Sequence, residues 1–404
     1  MTGTREEPDE SAISPVGRRS VLASAALAAA APVTAAAPAH AAAGSGHAAV
    51  AAGSGPAAVP VAASGPAAFA PDGPPREPGC GAVARLLAVP EGGRGVTWLR
   101  AALQVAVELE LATIPPYLCG WWSVVDRRGE AARLIQRIVG DEMYHLGVVC
   151  NLLVAVGGRP RMRDTAPTYP GPLPGGMRAG VNVYLSGLTR SFVRDVMMAI
   201  EAPDEPLART KHAWPSMGDF YTDLLKAFHR TAPRLSTRAQ LSSTIGSDVL
   251  KPVRTLYDVE RSIEIIKEQG EGTASSPADA FHDDHPAHFY AFAEIYHGRQ
   301  LRETSHGWHF NGPAVPFPDA RPMARVPAGG WPHPPGDVQR LLDRFDGIYN
   351  DLLAALDDTW GDGGPRSLGT AVRAMRALEE PAVRLMETTI PDAPGNYGPQ
   401  FRRL

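Results

Sequence analysis

Apolar residues recur along most of the chain at three- and four-residue spacing, and no stretch alternates convincingly with the period of two that a half-buried strand requires. Between Trp98 and Val125 the stripe runs through Leu99, Leu103, Ala106, Val107, Ile114, Leu118 and Trp121. It predicts a first long helix. Pro115-Pro116 inside it predicts a kink or break after Thr113, because proline removes a backbone donor and crowds the preceding turn. Glu130–Val156 reads as a second helix, stopped by Gly157-Gly158-Arg159-Pro160. A Pro/Gly-rich connection follows to about Val181. Further helices are predicted at Ser191–Ala202, Met217–Phe228, Asp248–Gln269 and Pro286–Tyr296, the last with its proline in the first turn, where a missing donor is least harmful. Residues 304–336 read as an ordered Pro/Gly/aromatic wrap. Asp337–Thr359 and Leu368–Glu387 then form a helical hairpin, joined by the turn-rich segment 361–365. The class is all-α.

The N-terminal region has a different pattern. Arg18-Arg19 opens an Ala-rich apolar run from Leu22 to Val33, and Ala39-His40-Ala41 supplies a small-x-small cleavage signal. Residues 1–41 read as a twin-arginine-type export leader cut after Ala41, with an ordinary secretory signal or an uncleaved anchor as the competing reading. Residues 42–80 are almost entirely Ala, Gly, Pro and Ser and read as a flexible linker. The expected organisation is leader, linker, a helical bundle over 81–303, and the wrap with its hairpin over 304–404. No apolar run after the leader is expected to reach the roughly 18–20 residues of a membrane span. The location expected is extracellular, cell-wall or periplasmic.

Composition adds limits. The 404 residues, 44% hydrophobic and 20% charged, can bury a sizeable core, and a net charge of -4 gives nucleic acid no electrostatic handle. Cys80, Cys119 and Cys150 are too few for a disulfide framework and lack zinc-type spacing. Cys119 and Cys150 read as small buried hydrophobes.

Candidate chemistry lies where polar residues occupy positions the apolar pattern reserves for the core. At about 100° per residue, Ile135, Ile138, Glu142, His145, Val149 and Leu152 share one sector of the second helix. A carboxylate and an imidazole in that stripe are costly unless paired or bound to metal. Glu142-x-x-His145 is also the one-turn spacing with which carboxylate-bridged bundles present two ligands on one face. Glu110 stands 32 residues earlier, a gap that fits one helical hairpin, and lies level with Leu103, Ala106, Ile114 and Tyr117. Glu108 belongs to the opposite, solvated face. Glu201, one turn after Met197 and Met198, either completes a ligand set or is a helix-terminal charge before Pro203. His288 aligns with Ala291, Phe292 and Ile295, as a ligand or as a satisfied core histidine, whereas His285 and His297 fall on loops or helix ends. Glu260, Glu264 and Glu268 mark a solvated face. Glu271, between two glycines, is placed for close approach to a ligand, with Glu268 as the alternative.

Several segments carry a family likeness: Glu108–Tyr117 (ELELATIPPY), Asp141–His145 (DEMYH) running into Asn151–Gly158 (NLLVAVGG), Gln269–Thr273 (QGEGT), and Ala287–Ile295 (AHFYAFAEI) followed by Gly298-Arg299. Together they resemble the ferritin-like family named after iminophenylpyruvate dimer synthase, which includes the domain from violacein-type pigment biosynthesis. The likeness spans about Trp98–Arg302 and, more loosely, the C-terminal hairpin. It implies a ferritin-like four-helix bundle with irregular Pro/Gly-rich insertions, and an iron site carried over to Glu110, Glu142, His145, Glu201, Glu271 and His288. Members of the family couple two imines of aryl pyruvates oxidatively. The second Glu-x-x-His of a symmetric bundle is absent here, which leaves an asymmetric pair of metals or a single one.

Three functions compete. The first is an exported metal-dependent oxidase or oxygenase, mono- or di-iron with manganese as the alternative, acting with oxygen on a small, aromatic or imine metabolite. Tyr117 and Tyr144 are its candidate catalytic side chains; with Trp121 and Trp122 they either line a pocket or form simple core. The second is an iron-binding or ferroxidase-type protein without organic substrate. The third is a metal-free structural relative whose Glu/His cluster is a hydrogen-bond network. No oligomeric state follows from the sequence.

Overall fold

The computed structural model describes residues 81–203, 216–272, 276–277 and 285–404. The leader and linker predicted over 1–80, with Cys80, lie outside the described residues. Helices that surround the interior are α1 (Val96–Ser123), α2 (Glu130–Ala155), α3 (190–201), α4 (Met217–Thr231), α5 (Leu256–Glu271) and α6 (His288–His297). Toward the C-terminus follow α7 (Gly336–Asp358), α8 (Gly364–Ala377) and α9 (Glu379–Met386). α1 packs on α2 and α3, and α6 packs on the same two helices, so the four close a ring around one interior. The α4–α5 pair lies against α1, α2 and α6. α9 lies on α1, and Phe401, beyond it, stacks on Trp122 with ring centroids 6.2 Å apart.

α1 runs unbroken through both prolines, contrary to the kink or break expected after Thr113. Pro116 cannot donate to the Ala112 carbonyl one turn back, and the Tyr169 hydroxyl donates to that carbonyl instead, at 2.8 Å. The distant tyrosine replaces the missing rung. Every residue from Leu109 to Val124 is buried, the pattern of a helix enclosed on all sides. α2 ends as expected: Gly157 takes φ +75°, with its amide and that of Gly158 donating back to Val154 and Leu153 at 3.0 and 2.9 Å.

α3 contains a π turn, Val193–Met197, before its last α-helical residues, Met198–Glu201. Such a wide turn rotates the residues that follow it relative to a regular helix, and Glu201 is the last of these.

The fifth predicted helix begins later than expected. Asp248–Leu250 pairs antiparallel with Ser243–Ile245 around Gly246 at φ +58°, a conformation a two-residue hairpin turn requires. α5 starts only after Thr255, whose hydroxyl accepts from Asp258 N at 3.2 Å while the Asp258 carboxylate accepts from Thr255 N at 2.9 Å. Two further short hairpins, Gly171–Pro172 with Asn182–Val183 and Arg302–Thr304 with Gly307–His309, are too brief to show alternation in sequence. The fold remains all-α with these additions.

α2 is, by length and composition, apolar enough to cross a membrane, which corrects the expectation that no run after the leader would be. Within the fold it is a core helix, 89% of its most apolar window being buried. Cys119 and Cys150 are buried free thiols.

Candidate metal centre

Five ionisable side chains meet inside the ring of α1, α2, α3 and α6. Glu110 comes from the middle of α1, Glu142 and His145 from successive turns of α2, Glu201 from the end of α3 and His288 from the start of α6. Their exposures are 0, 2, 2, 6 and 0% respectively, so water screens none of them. Their donor atoms form two groups, Glu110/Glu142/His145 and Glu142/Glu201/His288, each within 4.8 Å. Glu142 belongs to both.

Each carboxylate has one oxygen anchored by a hydroxyl and the other turned inward. Tyr221 Oη donates to Glu110 Oε1, Thr113 Oγ1 to Glu142 Oε2 at 2.6 Å, and Tyr117 Oη to Glu201 Oε1 at 2.5 Å. The free oxygens face the imidazoles: Glu110 Oε2 lies 3.7 Å and Glu142 Oε1 3.8 Å from His145 Nδ1. On the other side Glu142 Oε1 lies 2.9 Å and Glu201 Oε2 3.8 Å from His288 Nδ1.

Both imidazoles turn Nδ1 inward and have Nε2 held from behind. His145 Nε2 meets Gln269 Oε1 at 2.7 Å, and an amide oxygen only accepts, so the imidazole donates there and its Nδ1 carries the lone pair. His288 Nε2 meets Asp141 Oδ2 at 3.3 Å. Arg137 holds that aspartate at 3.5 Å and also donates to the Pro286 carbonyl at 2.7 Å, fixing the approach to α6. An imidazole whose outer nitrogen donates to a carbonyl or carboxylate is the arrangement metal-binding histidines use.

The inward atoms are therefore Glu110 Oε2, Glu142 Oε1, Glu201 Oε2, His145 Nδ1 and His288 Nδ1. Of these, Glu110 Oε2 and His288 Nδ1 are buried without a hydrogen-bond partner, the 2.9 Å approach of His288 Nδ1 to Glu142 lacking hydrogen-bond alignment. A dry interior lined by acceptors is unfavourable until a cation or protons enter it. Spacings of about 3–4 Å between donors suit a first-row transition metal, and a mixed carboxylate–imidazole set suits iron, manganese or zinc. The residues fit a metal, and the shared Glu142 fits two.

Electrostatics carry the same signature. Burial, followed by the charge of Glu142, pushes the Glu110 carboxyl well above its ordinary range. Burial would push Glu142 up too, but the close approach and charge of His288, with help from His145 and Thr113, hold it below. Asp141 is likewise held low, the pairing with His288 and Arg137 outweighing burial. Burial alone would lower His288, yet Asp141, Glu142 and Glu201 raise it well above the usual imidazole value. Burial and neighbouring carboxylates raise Tyr117 and Tyr221 strongly, which keeps both phenols protonated as donors.

A cavity of about 20 Å³ adjoins Glu110, Glu142, His145, Glu201 and Tyr221, with Ile200 and Ile266 as apolar walls. Its lining continues to the partly exposed Met217, Lys267, Gly270 and Glu271. Glu271 stands at this mouth and joins neither donor group. It is the last residue of α5, and its Oε1 accepts from the Gly218 amide at the start of α4 at 3.0 Å, with Arg178 3.9 Å away. It thus lines the same cavity as the inner carboxylates but at the mouth, and Glu268 joins neither donor group either. Tyr144 is also outside the cluster: one residue from His145 on a helix, it faces another sector, where burial and Asp248 push its phenol up to about 12. Trp122 packs against Phe345 and Phe401, and Trp121 lies under Arg127. Neither tryptophan lines the cavity.

Sequence reasoning passed over Tyr221, Gln269, Asp141 and Thr113. Gln269 carried a signal, since it follows Ile263 and Ile266 on the buried stripe of α5. Tyr221, on the apolar face of α4 beside Leu224 and Phe228, had none.

Residues 103–297 match a family model described as Ferritin-like. A solved ferritin-like protein from Caulobacter vibrioides aligns with a TM-score of 0.54 and 23% identity, over 75% of this chain and 97% of that one. No curated protein matches the chain. The ring of α1, α2, α3 and α6 thus has a ferritin-like fold, and residues 103–297, which match the ferritin-like model, hold buried Glu/His groups able to bind a metal.

Proposed function

We propose that this chain is an exported, iron-dependent oxidase or oxygenase acting on a small aromatic or imine metabolite, in the manner of iminophenylpyruvate dimer synthase. The observation that carries the reading is the pair of donor groups sharing Glu142 at the inner end of a cavity. Bound iron would supply the electrons for reducing oxygen. The chain's own residues bind and orient: Tyr221, Thr113 and Tyr117 fix three carboxylates with one oxygen inward. Ile200 and Ile266 exclude water from the inner wall. About 20 Å³ holds one water-sized molecule, so in this reading oxygen occupies the cavity and the organic substrate stands at the mouth, beside Met217 and Lys267.

The narrowness of the cavity also favours a second reading, oxidation of iron with no organic substrate. Oxygen uptake by the iron-reconstituted full chain separates the two. Steady uptake that requires an aryl-pyruvate-derived imine supports the first. Uptake in proportion to added ferrous iron alone supports the second, and a protein inert to oxygen contradicts both. Export is tested by N-terminal sequencing of secreted protein, expected to begin at Ala42.

A further inference from the structure

The two halves of the centre repeat one another until the group behind the imidazole. On one side stand Tyr221, Glu110 and His145; on the other, Tyr117, Glu201 and His288; Glu142 is common to both. Behind His145 is the neutral amide of Gln269 at 2.7 Å. Behind His288 is the carboxylate of Asp141, itself held by Arg137. A carboxylate draws the imidazole proton toward itself and makes the opposite nitrogen a stronger donor than an amide does. It also adds a negative charge near the cation.

Access divides the halves in the same sense. Glu110, Glu142 and His145 all line the cavity, and of the other group Glu142 and Glu201 line it too, whereas His288 does not. With its imidazole on the cavity the His145 group is the more open position, and with its imidazole away from it the His288 group is the more enclosed.

Resting on the reading of this cluster as a metal centre, we infer that its two positions are unequal by construction. The enclosed position of Glu142, Glu201 and His288, backed by Asp141, binds a divalent cation tightly and fills first. The open position of Glu110, Glu142 and His145, backed by Gln269, binds more weakly and exchanges its ion through the cavity. Asp141 and Gln269 are positioning residues that set this order. The open position is then where a small ligand reaches metal.

Titration of the metal-free full chain with Co(II), followed by absorbance and calorimetry, tests the order. Two separated steps are expected. H288A removes the tight step and H145A the weak one. Converting the amide to a carboxylate, Gln269→Glu, strengthens the weak step about 10- to 100-fold and leaves the tight one in place, and Asp141→Asn weakens the tight step by a similar factor. Q269E keeps both shape and acceptor, so it decides the matter if D141N does not fold. Two equivalents bound in one indistinguishable step, or Q269E shifting only the tight step, overturns the inference while leaving the metal centre standing. No cobalt bound overturns both.

Discussion

The imidazole rings of His145 and His288 lie 5.6 Å apart at 28° to one another, and both turn Nδ1 toward the same atom, Glu142 Oε1, at 3.8 and 2.9 Å. Two histidines from different helices converge on one buried carboxylate oxygen, the atom that would be shared by metal ions held in the two donor groups. Glu142 has no substitute there, because its other oxygen is held by Thr113.

Glu142→Gln is therefore expected to abolish binding at both positions. The loss of affinity should exceed the roughly 10- to 100-fold that follows removal of a group behind a ligand. Metal content after dialysis, with circular dichroism to confirm the helices, checks this. A folded E142Q chain that retains two equivalents refutes the bridging role.

The metal-free protein should be pH-sensitive in a defined sense. Glu110 and His288 have folded values raised above the ordinary 4.5 and 6.5. Each contributes stability that is complete below its ordinary value and lost as pH rises through the folded one. Glu142 and Asp141, held low, contribute above the ordinary 4.5 and 3.8, and lose that contribution only as pH falls through their lowered values. As pH rises above the ordinary 6.5 of an imidazole toward the raised values, the raised groups govern, so the metal-free chain loses stability while metal, competing with fewer protons, binds more tightly. The gap in Tm between zinc-loaded and chelator-treated protein is expected to widen over that range. A narrowing gap contradicts the account.

Asp346 is a second titrating group, far from the centre in sequence. Burial raises its carboxyl from 3.8 to about 6, although Gln400 Nε2 and the Arg402 amide both donate to it. Its contribution is complete below 3.8 and lost as pH rises through about 6, on the order of 2–3 kcal/mol. Asp346→Asn should flatten the fall in urea midpoint between pH 4 and 6, and an unchanged slope would show that the Asp346 carboxyl is not its source.

Tyr169→Phe isolates the rung that carries α1 through its prolines. Leaving the Ala112 carbonyl buried without its donor should cost about 1–3 kcal/mol, read as a lower denaturant midpoint. A variant as stable as the parent would mean that the helix tolerates the prolines unaided.

Much of this was legible in the chain because an ionisable residue on a 3.6-period apolar stripe is conspicuous: Glu110, Glu142, His145 and His288 were found that way and converge. Tyr221 was not, since a tyrosine among Leu224 and Phe228 is indistinguishable from core until its hydroxyl's partner is seen. Glu271 stands apart from the inner group: its glycine neighbours indicate close approach to a ligand, but its carboxylate engages the first turn of α4 at the cavity mouth, a contact that no sequence pattern marks. The unbroken α1 depended on Tyr169, 57 residues from Ala112, a distance no local rule reaches. The late start of α5 hid in a hairpin of two three-residue strands, whose apolar residues also fit a helical stripe.

Anomalous difference maps from crystals of the metal-loaded full chain, collected at the iron, manganese and zinc edges, test the central claim most directly. The account predicts two peaks flanking Glu142, one bounded by Glu201 and His288 and the other by Glu110 and His145. An interior without a peak, or Glu110, Glu142 and His145 turned away from one another, would contradict it.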